Sequence, residues 1–98
     1  MEFTKDAHKL ACLNGMMKGT KEIYEEYIEE CKIEIEEAKK SIRHYENSYK
    51  FNKELGLDTS YYKNIIKELR NGIEEKEKSI IEMSAVNGFI EKMIKEID

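Results

Sequence analysis

A seven-residue apolar repeat runs through almost the whole of this chain. One seam passes through Phe3, Ala7, Leu10, Met17, Tyr24, Ile28, Cys31, Ile35, Ala38, Ile42, Tyr45 and Tyr49 in steps of three and four, with Asn14, Lys21 and Asn52 as its polar members. A second passes through Tyr62, Ile66, Leu69, Ile73, Ile80, Met83, Ile90, Ile94 and Ile97, interrupted by Lys76 and Asn87. Apolar residues hold 21 of the 26 seam positions, where chance at this composition would place about ten. The repeat predicts an all-α fold of helices packed side by side at shallow angles, in the manner of a coiled coil. Composition agrees, because 39% of residues are charged and there is no proline. A chain of 98 residues makes one small helical domain.

The seams differ in phase, and the break falls at residues 54–58. Gly56 can take the left-handed conformation that ends a helix. Asp58, Thr59 and Ser60 each offer an oxygen to cap the next one. So short a loop makes its two helices antiparallel neighbours. The expected architecture is a helical hairpin with arms over 20–53 and 59–97, sharing a length on the order of 50 Å. Before it, Asn14-Gly15 and Gly19-Thr20 resemble a helix stop and a fresh start, each glycine costing about 1 kcal/mol against alanine. A short helix over 2–14 that then bends is therefore expected, although the first seam keeps its phase from Phe3 to Tyr49.

The arms differ in apolar width. The last arm adds Ile65, Val86 and Met93 beside its seam, whereas the corresponding row of the middle arm holds Tyr27 among Thr20, Glu34, Ser41 and Ser48. A wide stripe needs more than one neighbour. The N-terminal segment could fold back to supply it, or a second copy could complete a four-helix bundle. A two-helix hairpin alone buries only one stripe of each arm, so a homodimer is the expectation. Lys76 and Asn87, polar within the second seam, are expected to fix register or oligomer state.

Charge is unevenly spread. Residues 22–37 carry eight glutamates, Glu22, Glu25, Glu26, Glu29, Glu30, Glu34, Glu36 and Glu37, against Lys32 alone. Acids four apart repel by a few tenths of a kcal/mol per pair, and the last arm avoids this by interleaving lysines. Acids near a helix start also suit the macrodipole. Residues 39–70 reverse the sign, with eight basic residues against four acids, and Tyr45, Tyr49, Phe51, Tyr61 and Tyr62 sit in the same stretch. A hairpin would put that basic stretch at its tip. Lys39, Lys40, Arg43, Lys50, Lys53, Tyr61 and Lys63 are its candidates for meeting phosphates and bases.

Catalytic patterns are lacking. The five glycines form neither a GxGxxG nor a GK[ST] loop, and no GxSxG elbow occurs. Neither His8 nor His44 has a glutamate three residues earlier, as a di-iron bundle would require. His8 and Cys12 share a helix face but make only two ligands, where a structural zinc needs four. Cys31 reads as a small buried hydrophobe and Cys12 as an exposed thiol. No enzyme, cofactor or metal is expected. No stretch approaches the roughly 20 apolar residues of a membrane span. Two cysteines without an export signal suggest a reducing, cytoplasmic setting.

The function these features favour is a small non-enzymatic interaction protein, docking the acidic stripe on a basic surface of a partner protein. Within that class the favoured reading is a phage-like or mobile-element inhibitor of the anti-defence type, on an analogy of fold alone. The rival readings are a dimeric nucleic-acid-binding regulator that uses the basic tip, and a structural spacer or assembly subunit.

Overall fold

In the computed structural model the chain forms two helices, α1 over Glu2–Glu54 and α2 over Ser60–Ile97, paired as a helical hairpin. The structure describes residues 2–97, with side chains described at Lys9 and from Ala11 onward. The seam members Phe3, Ala7 and Leu10, like His8, therefore lie outside the described side chains.

The separate short helix expected over 2–14 does not form, because Gly15 and Gly19 lie within α1. Thr20, the expected fresh cap, turns its hydroxyl back and donates to the Met16 carbonyl at 3.0 Å. That is how a threonine behaves inside a helix rather than at its start. The physical reason for continuity is the seam. It carries α1 past both glycines at the cost of about 1 kcal/mol each, and it keeps Lys21 in contact with Asn87 and Glu91 of α2.

α1 ends in a Schellman motif one residue later than the sequence suggests. Gly56 has φ +71°. Its N–H donates to the Lys53 carbonyl at 3.1 Å, and the N–H of Leu57 donates to the Asn52 carbonyl at 2.9 Å. Of the three candidate caps for α2, Asp58 takes the role. Its Oδ1 accepts from the Ser60 N–H at 3.0 Å and the Ser60 hydroxyl at 2.8 Å. These bonds hold the Asp58 carboxyl below its ordinary range, the Ser60 N–H contributing most.

Two compact units make up the hairpin. In Glu30–Ser79 the side chains of Cys31, Ile35 and Ile42 of α1 and of Ile66 of α2 are buried, and the Tyr45 and Tyr62 rings meet across the helices at 6.4 Å. Met1–Glu29 with Ile80–Asp98 buries Ile28, Ile90 and the polar Asn87. The core is thin: among the described residues six apolar side chains are buried, and the deepest, Cys31, still exposes 3% of its surface. No helix among the described residues is long and apolar enough to cross a membrane.

Candidate interaction surfaces

Each helix gives one seam to the other, so whatever stands off the seam is available to a partner. All eight glutamates of residues 22–37 are exposed. Among them Glu25 is held by Lys21 at 3.4 Å, Glu34 by Lys76 across the helices at 2.9 Å, and Glu36 by Lys39 at 3.4 Å. Glu22, Glu26 and Glu29 follow steps of four and three, so they share one outward face of α1 in the first unit.

In the second unit the basic residues Lys39, Lys40, Arg43, Lys50, Lys53 and Lys63 are exposed, as is Tyr61. The fold brings only two of them to one aromatic ring. Lys53 and Lys63 each stand 5.8 Å from the centroid of Tyr49. Arg70 donates to Glu46 at 2.7 Å, and an open groove of about 410 Å³ runs beside these residues, lined by Tyr49, Ile66, Lys67 and Asn71 among others. Tyr45, Tyr49 and Tyr62 are half-buried, in keeping with their seam positions, whereas Tyr61 and Phe51 are exposed.

The polar seam members behave differently from one another. Lys76 reaches out of the seam to Glu34. Asn87 is 7% exposed, donates from Nδ2 to the Lys21 carbonyl at 3.3 Å, and leaves its Oδ1 buried without a partner. Around it the first unit has a charged flank. Lys21 binds Glu91 at 2.8 Å beside an open groove of about 480 Å³, lined also by Lys18, Glu22, Glu25, Ile94 and Lys95. The bond to Glu91 is the main cause that raises the Lys21 ammonium above its ordinary value, and Lys21 holds the Glu91 carboxyl down in turn.

Cys12 is exposed and Cys31 buried. Among the described residues no three His, Cys, Asp or Glu side chains gather in a metal-holding group. No protein-family model matches the chain, and neither a curated protein nor a solved structure is similar to it.

Sequence reasoning missed the residues whose roles depend on register across the hairpin. Glu46 with Arg70, Lys21 with Glu91, and Tyr49 between two lysines each require knowing which residue of α2 lies beside which residue of α1. A fixed sum of partner numbers, near 110 for Lys76 with Glu34, is the signal that a known loop position would have supplied.

Proposed function

We propose that this chain is a non-enzymatic interaction protein that docks the acidic outward face of α1 on a basic surface of a partner protein. The observation that supports this best is the uninterrupted exposure of the glutamates over residues 22–37 on a single helix. The like-charge repulsion between acids four apart is a standing cost in the free chain, and a basic surface relieves it on binding. Charge of one sign on a stiff helix speeds encounter and selects partners more than it adds affinity. A protein acting this way occupies the basic surface and so inhibits whatever anionic ligand that surface serves.

The rival reading, nucleic acid on the basic stretch of the second unit, draws on exposed Tyr61 and on Lys53 and Lys63 around Tyr49. It is weaker because the Tyr49 ring is already engaged by both lysines.

A tagged pull-down from lysate of the source cells, with and without nuclease, tests the proposal. The expected result is one protein with a basic surface, recovered at near-equal stoichiometry and insensitive to nuclease. Reversing Glu22, Glu26 and Glu29 to lysine should abolish recovery while helicity by circular dichroism stays intact. Recovery that survives the reversal overturns the proposal. Recovery of nucleic acid, or of proteins lost on nuclease treatment, transfers the function to the basic stretch.

A further inference from the structure

The first unit has an apolar flank opposite its charged one. On α1, Leu13, Met16, Ile23 and Tyr27 follow one another in steps of three and four through Thr20, so they form a second stripe beside the seam. They are 44%, 70%, 65% and 50% exposed. The hydroxyl of Thr20 is satisfied by the Met16 carbonyl, which leaves the stripe without an unmet polar demand. On α2, Val86, Phe89 and Met93 repeat the same spacing. Lys21, Glu25 and Glu91 meet across one side of the seam, so these two stripes lie together on the other side. The N-terminal segment, which the sequence offered as a cover, is part of α1 and does not fold back over them.

We infer that a second copy of this chain covers this flank. Area is the first reason. The chain exposes 7831 Å², about 2,000 Å² more than the size law for folded monomers gives at this mass. A stable dimer removes about 800 Å² from each partner. Six exposed side chains of the flank supply most of that, at on the order of 100 Å² each, which also puts the patch at the upper limit of what monomers leave bare.

Charge is the second reason. Lys9 and Glu26 border the flank on α1, and Glu82, Lys92 and Glu96 border it on α2, all exposed. A rim of both signs, nearly balanced, suits a copy of itself under two-fold symmetry better than a strongly basic or acidic surface. Of the acidic outward face of α1 only Glu26 reaches the rim of this contact, and Ile23→Glu with Phe89→Glu leaves Glu22, Glu26 and Glu29 in place, so the dimer and the docking proposed above are tested by different variants.

Sedimentation equilibrium from low micromolar to near-millimolar concentration is the test. The wild type should reach twice its 11.6 kDa mass. Ile23→Glu combined with Phe89→Glu should weaken association by about 100-fold or more with helicity retained. Ile81→Glu, at an exposed position on the other side of α2, should leave the mass unchanged. Methyl resonances need no variant: those of Leu13, Ile23 and Val86 should shift with concentration, and those of Ile33 and Ile81 should not. A mass of one chain at every concentration, an unaffected dimer in the double variant, or concentration shifts centred on Ile33 or Ile81 each overturn the inference.

Discussion

The Asn87 side chain donates to the backbone carbonyl of Lys21 at 3.3 Å, tying the seam of α2 to the seam of α1 through one long polar contact. Its carbonyl oxygen has no partner although the residue is 7% exposed. A buried acceptor left unpaired costs on the order of 1–3 kcal/mol, so this amide weakens the hairpin locally.

Asn87→Leu is accordingly expected to raise stability by about 1 kcal/mol, read as a higher midpoint in urea with an unchanged slope. The same variant should broaden the distribution of oligomers in native mass spectrometry, because a polar seam residue specifies alignment at a cost in stability. A lower midpoint would mean that the bond to the Lys21 carbonyl outweighs the orphaned oxygen.

Glycine replacements should split by conformation. Gly56 has φ +71°, a conformation that costs an L-residue roughly 1–2 kcal/mol, so Gly56→Ala should destabilise by about that much. Gly15 and Gly19 lie inside α1 with nothing within 4 Å of an added Cβ. Gly15→Ala and Gly19→Ala should each stabilise by about 0.5–1 kcal/mol. Thermal melts of the three variants separate these outcomes, and destabilisation by Gly15→Ala would contradict a continuous α1.

Acid and alkali should destabilise through different groups. The Glu91 and Asp58 carboxyls are held below their ordinary values of 4.5 and 3.8, by the bond to Lys21 and by the bond from the Ser60 N–H respectively. Each contributes stability that is fully present above its ordinary value and is lost as pH falls through its depressed one. Lys21 is raised above 10.5, chiefly by its bond to Glu91. Its contribution is complete below 10.5 and is lost as pH rises through the elevated value. Melting temperature should therefore be flat between these limits and fall on both sides. Lys21→Met should lessen the alkaline fall and remove only the Glu91 share of the acid fall.

Asp58→Ala removes the cap of α2 and should lower the melting temperature by a few degrees, whereas Asp58→Asn, which keeps an accepting oxygen, should recover most of the loss at neutral pH. An alanine variant that melts with the wild type would show that Thr59 or Ser60 takes over the cap.

The hairpin itself was legible because it rests on local rules. Phase continuity of each seam, the glycine that ends α1 and the cluster of capping residues after it need no knowledge of distant contacts. The bend expected after residue 14 failed where local and non-local terms compete: two glycines argued for a stop, and the contacts of Lys21 with Asn87 and Glu91 across the hairpin overrode them. Exposure of the eight glutamates follows from their standing off the seam. Which of them lysines hold does not, since Glu34 meets Lys76 only through the register between helices. The apolar flank was half visible. The row of Val86 and Met93 stood out, but Leu13, Met16 and Ile23 gained meaning only once α1 proved continuous.

The first unit is assembled from both ends of the described chain, with all of residues 30–79 between its halves. Lys21 and Asn87 are 66 residues apart in sequence, whereas Glu46 and Arg70 are 24 apart. Closing the larger loop directly costs about 0.6 kcal/mol more for each doubling of its length, so the hairpin is expected to zip from its turn, with the paired ends forming last. The same order run backwards makes those ends the first to open. Amide hydrogens around Lys21 and Asn87 should exchange sooner than those around Glu46 and Arg70, and a second copy seated on the flank would slow exchange where the lone chain frays most readily.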